Sequence, residues 1–272
     1  INQTRIPSVI KHLFFSFLFL SITIANADTV TIQSTTSTRD SGLYKYLLPF
    51  YPDYHKTQIK VIAVGTGQAM ANAQNCDGNI LIVHDKKRES EFMENNYGSE
   101  IHKLMFNDYV IVGPAEDVAN ATNSLSASDA FTKIYNSQSV FISRSDSSGT
   151  HAAEMSIWDK TGLDPSPFSG SWYLETGQGM GPSLNIATSL SGYILTDRSS
   201  WLRYQNKLNH VILYENPKEL RNDYSMILIN HNRCNNLSLK PARNLFNWLK
   251  SVEAADLIKD YQIKNTNVFY ID

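Results

Sequence analysis

The chain has 272 residues, of which 18% are charged and 42% hydrophobic, and a formal net charge of -2. That composition describes a globular protein with one large domain or two modest ones. It offers neither the basic excess expected for nucleic-acid binding nor a long acidic tail.

Residues 1–27 are made of different material. Arg5, Lys11 and His12 precede the apolar run from Leu13 to Ile24, and Ala25-Asn26-Ala27 gives the small-x-small pattern of a cleavage site. This predicts a cleaved secretory signal peptide, with an N-terminal membrane anchor as the alternative, and a soluble periplasmic protein. Loss of Arg5 and Lys11 would leave a mature charge of -4, and no cysteine follows the cleavage site to carry a lipid.

Val30–Gln33 reads as a first strand, emptying into the hydroxyl-rich turn Ser34–Gly42 and a helix carrying Leu43, Tyr46, Leu47 and Phe50. A second strand, Ile59–Val64, stops at Gly65-Thr66-Gly67; a helix through Ala69–Gln74 and a buried strand Ile80–Val83 follow. Leu104–Val112 is a further strand, 115–128 a connection, and Phe131, Ile134 and Tyr135 mark another helix.

Val140-Phe141-Ile142 then ends a strand before Arg144 and the run Ser145–Thr150, after which Ala152, Met155, Ile157 and Trp158 recur at helical spacing. Trp172–Glu175 is a strand before a glycine-rich turn; a helix with Leu184, Ile186, Ala187 and Leu190 leads to strand Tyr193–Thr196. Strands Val211–Tyr214 and Met226–Ile229 precede helices at 241–250 and 252–261. Alternating strands and helices predict an α/β, mostly parallel, doubly wound sheet, whose ligands sit at the carboxyl ends of the strands.

Three strand-to-helix turns bear hydroxyls, at 34–41, 65–68 and 143–150. Such a turn leaves backbone N–H groups unpaired at the helix start, where the dipole favours an anion. Ser148 and Thr150 add hydroxyl donors, Gly149 permits close approach, and Arg144 brings a planar positive charge. Taken alone, the third turn is equally well explained by Ser147 or Ser148 capping a helix while Arg144 pairs with Asp146.

Other motifs carry less. Gly65-Thr66-Gly67 and Gly177–Gly181 lack the glycine spacing and downstream acid of a dinucleotide loop. His84-Asp85 has no second His/Asp cluster nearby and reads as a solvated loop pair, and no Cys/His group has metal-ligand spacing. Ser148 and His151 could touch on a helix, but no G-x-S-x-G elbow surrounds the serine, so a secreted hydrolase is the lesser reading. For Cys76 and Cys234, two buried free thiols are slightly preferred over a disulfide.

Together these stretches resemble the tungstate-binding proteins of bacterial ABC importers, type II periplasmic binding proteins related to phosphate and molybdate binders. The resemblance rests on Thr35–Thr38 with Asp40–Leu43, Val61–Ala69, Val83–Lys87, Asn107–Pro114, Ser143-Arg144 with Ser148–His151, Glu175–Gly181, Leu195–Arg198 and Phe269-Tyr270. It spans the mature chain in order.

It implies two lobes, 28–112 with 215–272 and 113–214, joined by two hinge crossovers that let them close on a ligand. It also implies oxyanion contacts at Thr35, Thr36, Ser37, Thr66, Arg144, Ser148, Gly149 and Thr150. A monomer without cofactor or resident metal, delivering tungstate or molybdate to the importer's membrane subunits, is the expected function; a phosphate binder is the alternative. Ser145 and Ser147 stand where the family has Gly and Asp. Cys76–Asn79 replaces a Gly-Asp-Ala-Asp-like segment, and Asn222–Ser225 one resembling Asn-Pro-Tyr-Gly.

Overall fold

A computed structural model describes residues 28–272; the expected signal peptide lies outside the described residues. In chain order the strands are β1 (Asp28–Thr35), β2 (Thr57–Val64), β3 (Ile80–Val83), β4 (Gly98–Pro114), β5 (Phe141–Ser143), β6 (Tyr173–Glu175), β7 (Tyr193–Asp197), β8 (His210–Glu215), β9 (Arg221–Ile229), β10 (Gln262–Ile263) and β11 (Thr266–Asn267). The helices are α1 (Thr36–Asp40), α2 (Leu43–Leu47), α3 (Thr66–Gln74), α4 (Lys86–Glu94), α5 (Ala127–Ser137), α6 (Gly149–Thr161), α7 (Met180–Ser189), α8 (Arg198–Arg203), α9 (Leu239–Leu249) and α10 (Val252–Asp260).

The sheet runs β2-β1-β3-β9-β4-β7-β5-β6, with β8 on β4. Strand β4 is its spine: residues 98–108 pair antiparallel with β9, and residues 109–114 pair with β7 and β8. The other link between the halves is the short segment 216–220 between β8 and β9. Arg198 pins both links, reaching Asp108 with Nε (2.8 Å) and Nη2 (2.6 Å) and Glu215 with Nη2 (2.6 Å). Around the spine, β1 is parallel to β2 and β3, and β5 is parallel to β6 and β7. Strand β3, Ile-Leu-Ile-Val, is buried at every position, as expected for a strand covered on both faces.

Each half has its own core. In the first, Ala242, Leu245, Phe246 and Leu249 form the i, i+3, i+4, i+7 face of α9, buried with Ile32, Ile80 and Leu228. The second is aromatic: Trp158 lies 4.5 Å from Phe131 and 5.5 Å from Phe141 between ring centroids, with Trp172 and Tyr173 alongside.

Several expectations are corrected here. Cys76 and Cys234 are bonded, with Cα atoms 5.4 Å apart, so they are not free thiols. The helix expected after β1 is broken at Gly42, whose φ of 82° interrupts it between α1 and α2. Phe50 and Leu190 are 49% exposed, and Ala152 is exposed too, so α6 packs through Glu154, Ile157 and Trp158. Strand β9 begins at Arg221, earlier than its apolar letters suggest, because its first residues are polar groups paired with β4.

Candidate functional site

All three hydroxyl turns lie at carboxyl ends of strands. Thr35 ends β1 and caps α1; its Oγ1 is 3.1 Å from Ser37 Oγ and 2.8 Å from Thr38 Oγ1. The parallel register sets Thr35 opposite Val64, so the second turn begins beside the first. Thr66 is the first residue of α3, and Gly65 before it supplies no side-chain cap. The third turn follows β5. Ser148 caps α6, its Oγ accepting from His151 N at 3.1 Å and donating to Asp146 Oδ1.

Turns two and three meet across the halves. Gly149 N donates to Thr66 Oγ1 (3.2 Å), Gly67 N to Ser147 O (3.1 Å), and Arg88 Nη1 to the same Ser147 O (2.9 Å). On another rim, Arg203 Nε donates to Ser41 O at 2.6 Å. Thr66, Ser148, Gly149 and Thr150 are thus brought together with Thr35 and Ser37 alongside, all buried. Thr36 is only half-buried and has no side-chain hydrogen bond to any of these groups.

Arg144 is 3% exposed. Its Nη2 donates to Asp146 Oδ2 (2.5 Å) and its Nε to Gln178 O (3.4 Å), which fixes the guanidinium plane and leaves its other N–H groups to offer. Asp146 is spent on Arg144 and on Ser148, whose backbone N it accepts at 3.2 Å. The capping reading of this turn is therefore correct in its bonds. It is incomplete, because capping alone needs no buried arginine.

Three buried polar atoms nearby have no partner: Thr150 Oγ1, Asn107 Nδ2 and Asp197 Oδ2. Asp197 ends β7 opposite Tyr109; its other oxygen accepts from Ser200 N at 2.9 Å and from Ser199 Oγ.

The reading of His84 as solvated is overturned. It is 7% exposed, stacks on Tyr224 at 4.7 Å, and places Nδ1 2.9 Å from Asn222 Oδ1 and 3.2 Å from Tyr109 OH. Burial pushes its pKa below the usual histidine value, against the smaller opposing effect of Asn222, so the ring is held neutral. Asp85 next to it caps α4. Sequence reasoning assigned no site role to Arg88, Asn222 or Asp197; the family stretches containing His84, Tyr109 and Asp197, and the segment Asn222–Ser225, carried the signal for this region.

The hydrolase pair is not assembled. The His151 ring turns its Nδ1 toward Ser143 Oγ (3.4 Å) and Glu154 Oε2 (3.8 Å), while Ser148 Oγ is engaged by Asp146. Glu154 raises the His151 pKa and favours imidazolium, the wrong state for a general base. No group of His, Cys, Asp and Glu among the described residues is disposed to hold a metal ion. No described helix is long and apolar enough to cross a membrane.

The arrangement can hold a small anion between hydroxyls, helix-start amides and one oriented arginine. The chain matches the PBP superfamily domain over residues 23–251. It is 36% identical to the tungstate-binding protein TupA of Peptoclostridium acidaminophilum over 85% of this chain and 81% of that one. The TupA of Campylobacter jejuni is 35% identical over 87% and 88%. Among solved structures, the tungstate ABC transporter protein of Geobacter sulfurreducens superposes with a TM-score of 0.79 at 36% identity, covering 87% of this chain and 100% of that one. TupA from Desulfovibrio alaskensis G20 gives 0.78 at 35% identity, covering 90% and 99%. The chain belongs to the PBP superfamily, as a type II periplasmic binding protein of the tungstate-binding family of ABC importers.

Proposed function

We propose that the protein captures tungstate, and molybdate as a close analogue, in the periplasm and delivers it to the membrane subunits of an ABC importer. The observation that carries this reading is the buried Arg144, held in plane by Asp146 and Gln178, in a turn whose helix start bonds to Thr66 of the other half. Thr35, Ser37, Thr66, Ser148, Gly149 and Thr150 are the proposed contacts beside Arg144, with Thr36 on the margin. Charge-assisted hydrogen bonds contribute about 1.5–3 kcal/mol each. A handful of them, less the association cost, supports binding in the sub-micromolar range or tighter.

Residues 28–112 with 215–272 and residues 113–214 are the proposed lobes. The change of partner along β4 between Asp108 and Tyr109, and the segment 216–220, act as the hinges. The cross-half bonds at Thr66, Gly67 and Arg88 then belong to the closed form. Four relatives that bind tungstate or serve its transport, matched over most of the chain, support the ligand and the transport role.

One observation favours hydrogen phosphate instead. The unpartnered, buried Asp197 Oδ2 could accept a proton that phosphate carries near neutral pH and tungstate does not. Calorimetric titration of tungstate, molybdate and phosphate into the wild type and Asp197→Asn separates the two. Tungstate binding tighter than phosphate by at least about tenfold, and not weakened in Asp197→Asn, is the expected result. Phosphate binding tighter, and lost in the variant, would name the other ligand.

A further inference from the structure

The side chain of Asn222 uses all of its hydrogen-bonding capacity at the junction of the two halves. Its Oδ1 accepts from Tyr109 OH (2.9 Å) and faces His84 Nδ1 (2.9 Å). Its Nδ2 donates to Asn107 Oδ1 (2.7 Å) and lies 3.1 Å from Tyr224 OH. With Nδ2 so engaged, the bond to His84 requires the imidazole proton on Nδ1, a tautomer assigned from the network. Asn107 and Tyr109 flank the point where β4 changes partners, and Asn222 and Tyr224 lie at the start of β9. The ring of His84 is therefore oriented by residues of both links, and by its stack on Tyr224.

The Nδ1–Cε1 edge of that ring also meets the anion turn. A Cβ built on Gly149 would lie 2.6 Å from His84 Cε1, 2.6 Å from Nδ1 and 2.9 Å from the His84 carbonyl oxygen. The first turn of α6, which carries Ser148 and Thr150, thus rests directly on His84 and can come no closer to the first half while the ring is there. Beside the contact, a cavity of ≈ 630 Å³ lined by His84, Tyr109, Gly149, Ala152 and Asn222 leaves room for the turn to shift if the ring is removed.

We propose that His84, oriented by Asn222, is a spacer that sets the distance between the charged turn of the second half and the Thr35–Ser37 turn of the first, and thereby selects a large tetrahedral oxyanion over a small one. It is a positioning residue, acting through Gly149 without touching the anion. The inference rests on the oxyanion reading above. Tungstate and molybdate fill the gap; sulfate, smaller and equally a dianion, does not reach donors on both sides at once. Removing the ring lets the first turn of α6 pivot about its bonds to Thr66, Gly67 and Arg88 into the space the ring leaves, so large anions lose more than small ones.

The test is titration of tungstate and sulfate into wild type, His84→Ala, His84→Gln and Asn222→Ala, with a melting curve for each. In His84→Ala the tungstate-to-sulfate affinity ratio should fall by at least about tenfold, and in Asn222→Ala less. His84→Gln, which keeps bulk and a donor toward Asn222, should restore part of the ratio. If His84→Ala does not melt cooperatively, Asn222→Ala reads the same ratio with the ring present but released. Folded variants that lose both anions equally, leaving the ratio unchanged, would overturn the spacer alone. A wild type that binds neither anion would overturn the oxyanion reading, and the spacer with it.

Discussion

The two halves of this molecule bring different chemistry to the proposed anion site. The first offers neutral donors, the hydroxyls of Thr35, Ser37 and Thr66, on turns that partly satisfy one another. The second concentrates charge in a single turn, with Arg144 held against Asp146 and Ser148 capping a helix of 13 residues. Their interiors differ as well: the first half is stapled by Cys76–Cys234, whereas the second is filled by Trp158 and its ring of aromatics. The two halves divide the labour. The charged half should attract and orient the anion, and the neutral half should close over it and slow its escape.

The staple offers the largest effect. It closes a loop of sequence separation 158, and removing such a disulfide typically costs about 2–5 kcal/mol. Cys76→Ser with Cys234→Ala should lower the unfolding free energy of the first half by that order while leaving tungstate affinity near wild type. Urea unfolding followed by calorimetry checks both. A variant with normal stability and lost binding would mean that the bond positions α3 and Thr66, dissolving the contrast between scaffold and site.

Arg144→Ala should weaken binding by about 2 kcal/mol or more, through loss of a charge-assisted contact and through the stranded Asp146. Lys at that position should recover only part, lacking the planar fork. Thr66→Val, which keeps shape and removes a neutral hydroxyl, should cost about 0.5–1.5 kcal/mol. Stopped-flow kinetics sharpens the pair: Arg144→Ala should slow association as well, while Thr66→Val should act on the off-rate. Equal effects on association would show that both halves meet the anion together.

Much of this was legible in the sequence because the signal is local. An apolar run stopping at small hydroxyl residues, as at Thr35, Thr66 and Arg144–Ser148, marks both a strand end and an unsaturated helix start. Strand β3 and the face of α9 were equally plain from their apolar letters. Helices α4 and α8 were not, since Lys86–Glu94 buries only Glu89 and Phe92, and Arg198–Arg203 is too short to show a period. The disulfide joins residues with no local cue. His84 was misread for a related reason: a histidine and an aspartate after a strand look solvated until Asn222 and Tyr109, distant in the chain, are seen to bury the first of them. Polar groups that satisfy one another at a hinge leave no hydrophobic trace.

One oxyanion is expected between the charged turn of one half and the neutral turns of the other. Crystals grown with tungstate, measured at a tungsten absorption edge, test it directly. A single anomalous peak within hydrogen-bonding reach of Arg144, Thr150 and Thr66 is the predicted result. A peak in the cavity lined by Lys86, Lys87 and Arg88, with none beside Arg144, would contradict it.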